Sequence, residues 1–136
     1  MKKLLLLPLL VVMMVSSPAA ARIGETFEEC QQRYGILMRV DSQFHPDYPQ
    51  YCFKLGEIEI LVRFYNGRSA EEIFTRSDAD GDLTAAQTDE IVRSNRESSK
   101  EEIRWDLKKA SRYSDMLVIT TLEFYKIFRK DQGTGF

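Results

Sequence analysis

The run Ile58 to Tyr65, followed at once by Asn66-Gly67, constrains this chain more than any other stretch. Ile58, Ile60, Val62 and Phe64 alternate with Glu59, Leu61, Arg63 and Tyr65, which is the period of a strand with one apolar face. Asn-Gly is the strongest short hairpin signal, because both central residues of the tight turn take positive φ. The strand therefore has expected partners on both sides. Tyr51 to Leu55 precedes it across Gly56-Glu57, and the Asn-Gly turn asks for a returning strand through Ile73 and Phe74. Ser69-Ala70-Glu71-Glu72 is also an S-x-x-E capping box, which alone would start a short helix over Ala70 to Arg76. The turn specifies both of its flanks and the box only one, so the strand is the expected state.

Helical signals surround this hairpin. Thr26 and Glu29 form a T-x-x-E capping box, predicting a helix from Phe27 to Tyr34 with Phe27, Cys30 and Tyr34 on one stripe and Gly35 as its stop. Ile36 to Val40 reads as a strand, and Ser42 to Gln50, with two prolines and no periodicity, as a loop. Thr84-Ala85-Ala86-Gln87 caps a helix to about Asn95 with Ile91 and Val92 inward. Ser98 to Glu102 holds another box ahead of Ile103, Trp105 and Leu107. Leu117 to Thr120 suits a strand, and Leu122, Tyr125 and Phe128 recur as in a closing helix. The expected fold class is α+β, a small antiparallel sheet covered on one face by short helices, in a single domain over residues 22–136.

The first 21 residues carry a different message. Lys2 and Lys3 precede the apolar run Leu4 to Val15, and Ala19-Ala20-Ala21 supplies an A-x-A site, the pattern of a secretory signal peptide cleaved before Arg22. That run is shorter than the roughly 20 apolar residues a membrane crossing takes, and Pro8 interrupts it. Expected localisation is thus periplasmic or secreted, with no membrane span after cleavage. Loss of the two leader lysines leaves 17 basic and 21 acidic residues, a net charge of -4. Charges of both signs are interspersed and no basic cluster sits beside stacking aromatics, so nucleic acid is not an expected partner.

Cys30 and Cys52 travel to an oxidising compartment, where an even count permits one disulfide. Such a bridge would stabilise by about 3 kcal/mol through the loop it closes. Against it, the alternation Tyr51-Cys52-Phe53-Lys54-Leu55 sets Cys52 on the face opposite Phe53 and Leu55, while Cys30 shares a stripe with Phe27 and Tyr34. Both a bridge and two separate thiols remain open to a reading of the sequence.

Ser77-Asp78-Ala79-Asp80-Gly81-Asp82 resembles a calcium loop of the EF-hand type, and Asp78, Asp80 and Asp82 are the weak metal candidates. With Gly81 at the glycine position, Arg76 and Gln87 replace the terminal carboxylates. With Asp78 first, Leu83 occupies the glycine position. Each register breaks, so no metal or cofactor is expected. A divergent calcium-binding module around residues 78–90 stands as an alternative function. The catalytic inventory is thin: His45 is the sole histidine, and no G-x-S-x-G, H-E-x-x-H, phosphate-loop or dinucleotide motif occurs. The adjacent acids Glu28-Glu29, Glu71-Glu72 and Glu101-Glu102 are explained by helix caps and first turns. A small hydrolase with an unrecognised site is a further alternative, and no enzyme is expected.

Ile23-Gly24-Glu25-Thr26 through Tyr34-Gly35, followed by the Tyr51 to Tyr65 hairpin and Asn66-Gly67, resembles a family of small exported bacterial domains related to the SmpA/OmlA lipoproteins, which assist outer-membrane β-barrel assembly. The likeness covers Ile23 to Thr75. The chain departs from that family in Gly24-Glu25-Thr26, in having no lipidated cysteine, and in a C-terminal half without counterpart, so barrel assembly is not implied. What the resemblance implies is a non-catalytic binding or scaffolding protein of the bacterial envelope, whose partner is an envelope protein or surface. The aromatic loop with Phe44, Tyr48 and Tyr51 and the Tyr65 side of the hairpin are the expected contact surfaces.

Overall fold

The structure is a computed structural model, and it describes residues 22–43, 45–76, 82–99, 102–108 and 116–131. The elements in chain order are α1 (Phe27–Tyr34), β1 (Leu37–Asp41), β2 (Gln50–Leu55), β3 (Ile58–Tyr65), β4 (Arg68–Arg76), α2 (Ala85–Ser98), β5 (Ile103–Lys108), β6 (Met116–Thr121) and α3 (Leu122–Asp131). The α+β class holds, with a sheet of six strands in the order β1-β2-β3-β4-β6-β5.

Local chemistry accounts for the element boundaries. The Thr26 hydroxyl accepts from the Glu29 backbone N–H at 3.3 Å and the Glu29 carboxylate accepts from the Thr26 N–H at 2.8 Å, which satisfies two free amides at the start of α1. Thr84 and Gln87 do the same for α2. Asn66 and Gly67 have φ of 52° and 74°, the two positive values that a tight hairpin turn requires. That turn returns the chain as β4, paired with β3 from Ile58 opposite Arg76 to Tyr65 opposite Arg68. The S-x-x-E box at Ser69 is thus overridden by the hairpin. The box at Ser98 starts no helix either: Ser98 closes α2, which runs past Asn95, and strand β5 follows.

From β1 to β4 the sheet is an antiparallel meander. The chain then crosses over through α2 to the far edge as β5 and turns back as β6 into the gap beside β4. Because side chains alternate across a strand, the registers assign two faces. One carries Phe53, Ile60, Val62, Phe74, Leu117 and Ile119, all buried against Cys30 and Tyr34 of α1 and Ile91 and Val92 of α2. Phe27 completes it, with ring centroids 5.7 Å from Tyr51 and 5.9 Å from Phe64.

The opposite face corrects the expectation that helices cover one side alone. Arg63 and Tyr65, which alternate with Val62 and Phe64, lie under α3: the Arg63 guanidinium is 4.8 Å from the centre of the Phe128 ring, and Tyr65 packs on Phe124 at 5.9 Å. Among the described side chains of α3 Phe124 is the one fully buried, while Leu122 and Tyr125 are half-buried, so the helix turns its Phe124–Phe128 side inward rather than the Leu122–Tyr125–Phe128 stripe.

Candidate functional site

On the α1 face, the N-terminal segment is tied to β4 and α2. The Ile23 N–H donates to Asn95 Oδ1 at 2.6 Å, and the Gly24 and Glu25 N–H groups donate to Ser69 Oγ at 2.9 and 3.2 Å. Beside this strap lies Glu72, wholly buried at the centre of the sheet, opposite Val62 on one side and Ile119 on the other. Its Oε2 accepts from the Tyr34 hydroxyl at 3.0 Å, and its Oε1 has no hydrogen-bond partner among the described residues. Burial raises the Glu72 carboxyl from 4.5 to about 7, and the Tyr34 and Ser69 hydroxyls pull the other way without cancelling the rise. Burial likewise pushes the neighbouring Cys30 thiol far up, and the Glu72 charge adds to the effect. The cluster can hold a proton near neutral pH, but Cys30 supplies no thiolate, and every member is sealed from solvent.

Cys30 and Cys52 stand as two separate buried thiols. Cys30 faces the core from α1, whereas Cys52 sits on the other side of β2 from Phe53, so the sheet itself separates them. Burial, then the Glu59 carboxylate, pushes the Cys52 thiol up to about 11.

On the α3 face, Arg63 makes a buried ion pair with Glu71 and donates from Nε to the Tyr48 carbonyl at 3.2 Å, and Thr120 donates to Glu71 at 3.3 Å. His45 stacks against Tyr48 and Phe128, with ring centroids at 5.1 and 4.9 Å, and its Nδ1 is enclosed without a hydrogen-bond partner among the described residues. His45 lies on the α3 side and Cys30 on the α1 side, so they form no nucleophile–base pair. Tyr48, Tyr51 and Tyr65, expected as contact aromatics, are half-buried and pack on neighbouring rings. Phe44 lies outside the described residues.

Asp78 and Asp80 also lie outside the described residues, and Asp82 stands just ahead of α2. The element before residues 77–81 is strand β4, where an EF-hand would have its incoming helix. Among the described residues no group of three or more His, Cys, Asp or Glu side chains is placed to hold a metal ion.

Apolar exposure is concentrated at the two edges of the sheet. Ile36 is 82% exposed, Met38 60% and Val40 50%, all in or beside β1; at the other edge, Trp105 of β5 is 45% exposed. Trp105 borders an open groove of about 400 Å³ against Arg93, Arg96 and Glu97 of α2. Large apolar side chains along a free sheet edge are what a protein avoids unless the edge is used. The sequence places this strand but does not announce its exposure. The one hint is the composition of Ile36-Leu37-Met38-Arg39-Val40, which holds more large apolar residues than one buried face can take. Comparison with protein-family models, curated proteins and solved structures gives no match in any of the three.

Proposed function

We propose that this chain is an exported, non-catalytic binding protein of the bacterial envelope and that β1 is its contact edge. The observation that carries this reading is the exposure of Met38 and Val40 in β1, and of Ile36 just before it, on a strand that among the described residues is paired on one side only. An incoming strand would satisfy the free backbone groups and cover those side chains, the mode of β-augmentation. The titratable groups that could do chemistry support the same reading: Glu72 and Cys30 are enclosed, and His45 is held between rings. Export is supported by the leader pattern over residues 1–21. Among the described residues no helix is long and apolar enough to cross a membrane.

The test is a photo-reactive side chain placed at Met38 in cells, with the same group at exposed Arg93 as control, followed by fractionation of the envelope. Covalent adducts at Met38 in the envelope fraction, with none at Arg93, are expected. Retention of the protein in the cytoplasm, or equal labelling at both positions, would refute the proposal.

A further inference from the structure

We infer that β1 pairs antiparallel with β1 of a second copy of this chain, about a two-fold axis at Val40, so that the two sheets continue into one. This rests on the reading of β1 as the contact edge and names its occupant.

The register of β1 carries the argument. Leu37 lies opposite Phe53 and Arg39 opposite Cys52, with a bulge between them; beyond it the pairing is regular, with Val40 opposite Tyr51 and Asp41 opposite Gln50. Arg39 and Asp41 therefore share the Cys52 face, and Val40 lies on the Tyr51 face. In an antiparallel pair, residues directly opposite share a face, and like charges so placed repel. An axis at Arg39 would oppose Arg39 to itself, and an axis at Asp41 would oppose two carboxylates. An axis at Val40 instead sets Arg39 against the partner's Asp41, sets Asp41 against the partner's Arg39, and joins the two half-exposed Val40 side chains. Of the three axes in the regular part of β1, the one at Val40 makes the strand self-complementary in charge, as a two-fold interface must be.

The side chains have capacity for this second interaction. Arg39 donates from Nη2 to Glu59 at 2.7 Å, which leaves further N–H groups of its guanidinium for a carboxylate across the axis. Asp41 accepts from the Gln43 backbone N–H through Oδ1 at 2.9 Å, which leaves its second oxygen. Glu59, Arg39 and the partner's Asp41 would then alternate in sign across the junction.

The experiment is sedimentation velocity on the exported, purified protein over micromolar concentrations, with the thermal midpoint of every variant checked. The wild type is expected to dimerise reversibly. Asp41→Arg and Arg39→Glu, each alone, place like charges opposite one another twice and should weaken the dimer at least about tenfold. Mixed together, the two variants regain attraction at both contacts and should form a one-to-one heterodimer. Val40→Cys should give a covalent dimer on mild oxidation; it is a small replacement at a half-exposed site, so it keeps the test alive if a charge reversal unfolds the chain. A wild type that stays monomeric, charge variants that dimerise like the wild type, or a Val40→Cys variant that does not crosslink would overturn the inference. Photo-adducts at Met38 to a different protein, with a monomeric chain, would overturn the two-fold pairing and leave the contact edge standing.

Discussion

Glu72 makes the stability of this protein fall as the solution is raised from mildly acidic to mildly alkaline pH, and Glu72→Gln should abolish that fall. In the folded chain burial lifts its carboxyl from 4.5 to about 7, so the native state holds the proton more tightly than the unfolded chain does. Stability from this proton is full below pH 4.5, the unfolded value, and is lost as the pH rises through about 7. The gap corresponds to about 3 kcal/mol in total, of which about 2 to 3 kcal/mol is lost between pH 5 and pH 8. In Glu72→Gln the amide oxygen still accepts from Tyr34, and nothing at that position ionises. Its amide N–H groups enter a site where Oε1 has no hydrogen-bond partner among the described residues, at a cost of about 1–3 kcal/mol that is the same at every pH. The diagnostic is therefore the difference in pH dependence between the two proteins. Urea unfolding of both at pH 5 and pH 8 should show the wild-type midpoint dropping by roughly 1 M more than that of the variant. Equal drops would refute the reasoning, because every other titrating group is common to both chains.

Three further outcomes follow from groups enclosed in the same fold. Both thiols should resist Ellman's reagent at pH 8 in the native protein and react at once in denaturant; rapid native labelling, or a bridged species on a non-reducing gel, would contradict their burial on opposite faces. Because Cys52 is raised from 9.0 to about 11 and Cys30 is raised further, the stability they confer is full below about pH 9 and falls as the pH climbs through their folded values, which alkaline unfolding would reveal. Arg63→Ala should destabilise by about 3–5 kcal/mol, since it strands the Glu71 carboxylate beneath α3, whereas replacing Arg63 and Glu71 together by methionine should cost much less. A single-variant loss below about 1 kcal/mol in urea unfolding would show that water reaches the pair.

What the sequence made legible is what a few contiguous residues decide. Thr26 and Glu29 close a cap within one helical turn, and Asn66-Gly67 sets both φ values of its turn, so α1 and the β3–β4 hairpin lie where their local chemistry puts them. A capping box alone does not decide a helix: at Ser69 it loses, as the Asn-Gly turn led one to expect, to the β3–β4 hairpin, and at Ser98 the box closes α2 ahead of strand β5. Placement of β6 between β4 and β5 depends on contacts such as Ile119 with Glu72, which no local pattern encodes.

The second covered face was hidden for a related reason. Glu59, Arg63, Glu71 and Thr120 make that side of the sheet look solvated, yet Arg63, Glu71 and Thr120 satisfy one another and become a buried floor for Phe124 and Phe128. Glu71 and Glu72, adjacent in sequence and read as a helical first turn, point to opposite faces of β4 and are both buried, one paired with Arg63 and one held by Tyr34. Regular pairing back from the Asn66-Gly67 turn would set Glu71 opposite Val62; a bulge between Phe64 and Arg63 shifts the register by one, so that Glu72 takes that inward position, and no local signal in the sequence announces the bulge. The same pairing places the sheet's edges: among the described residues β1 and β5 each pair on one side, and the exposed large apolar side chains Ile36, Met38, Val40 and Trp105 lie in or beside them.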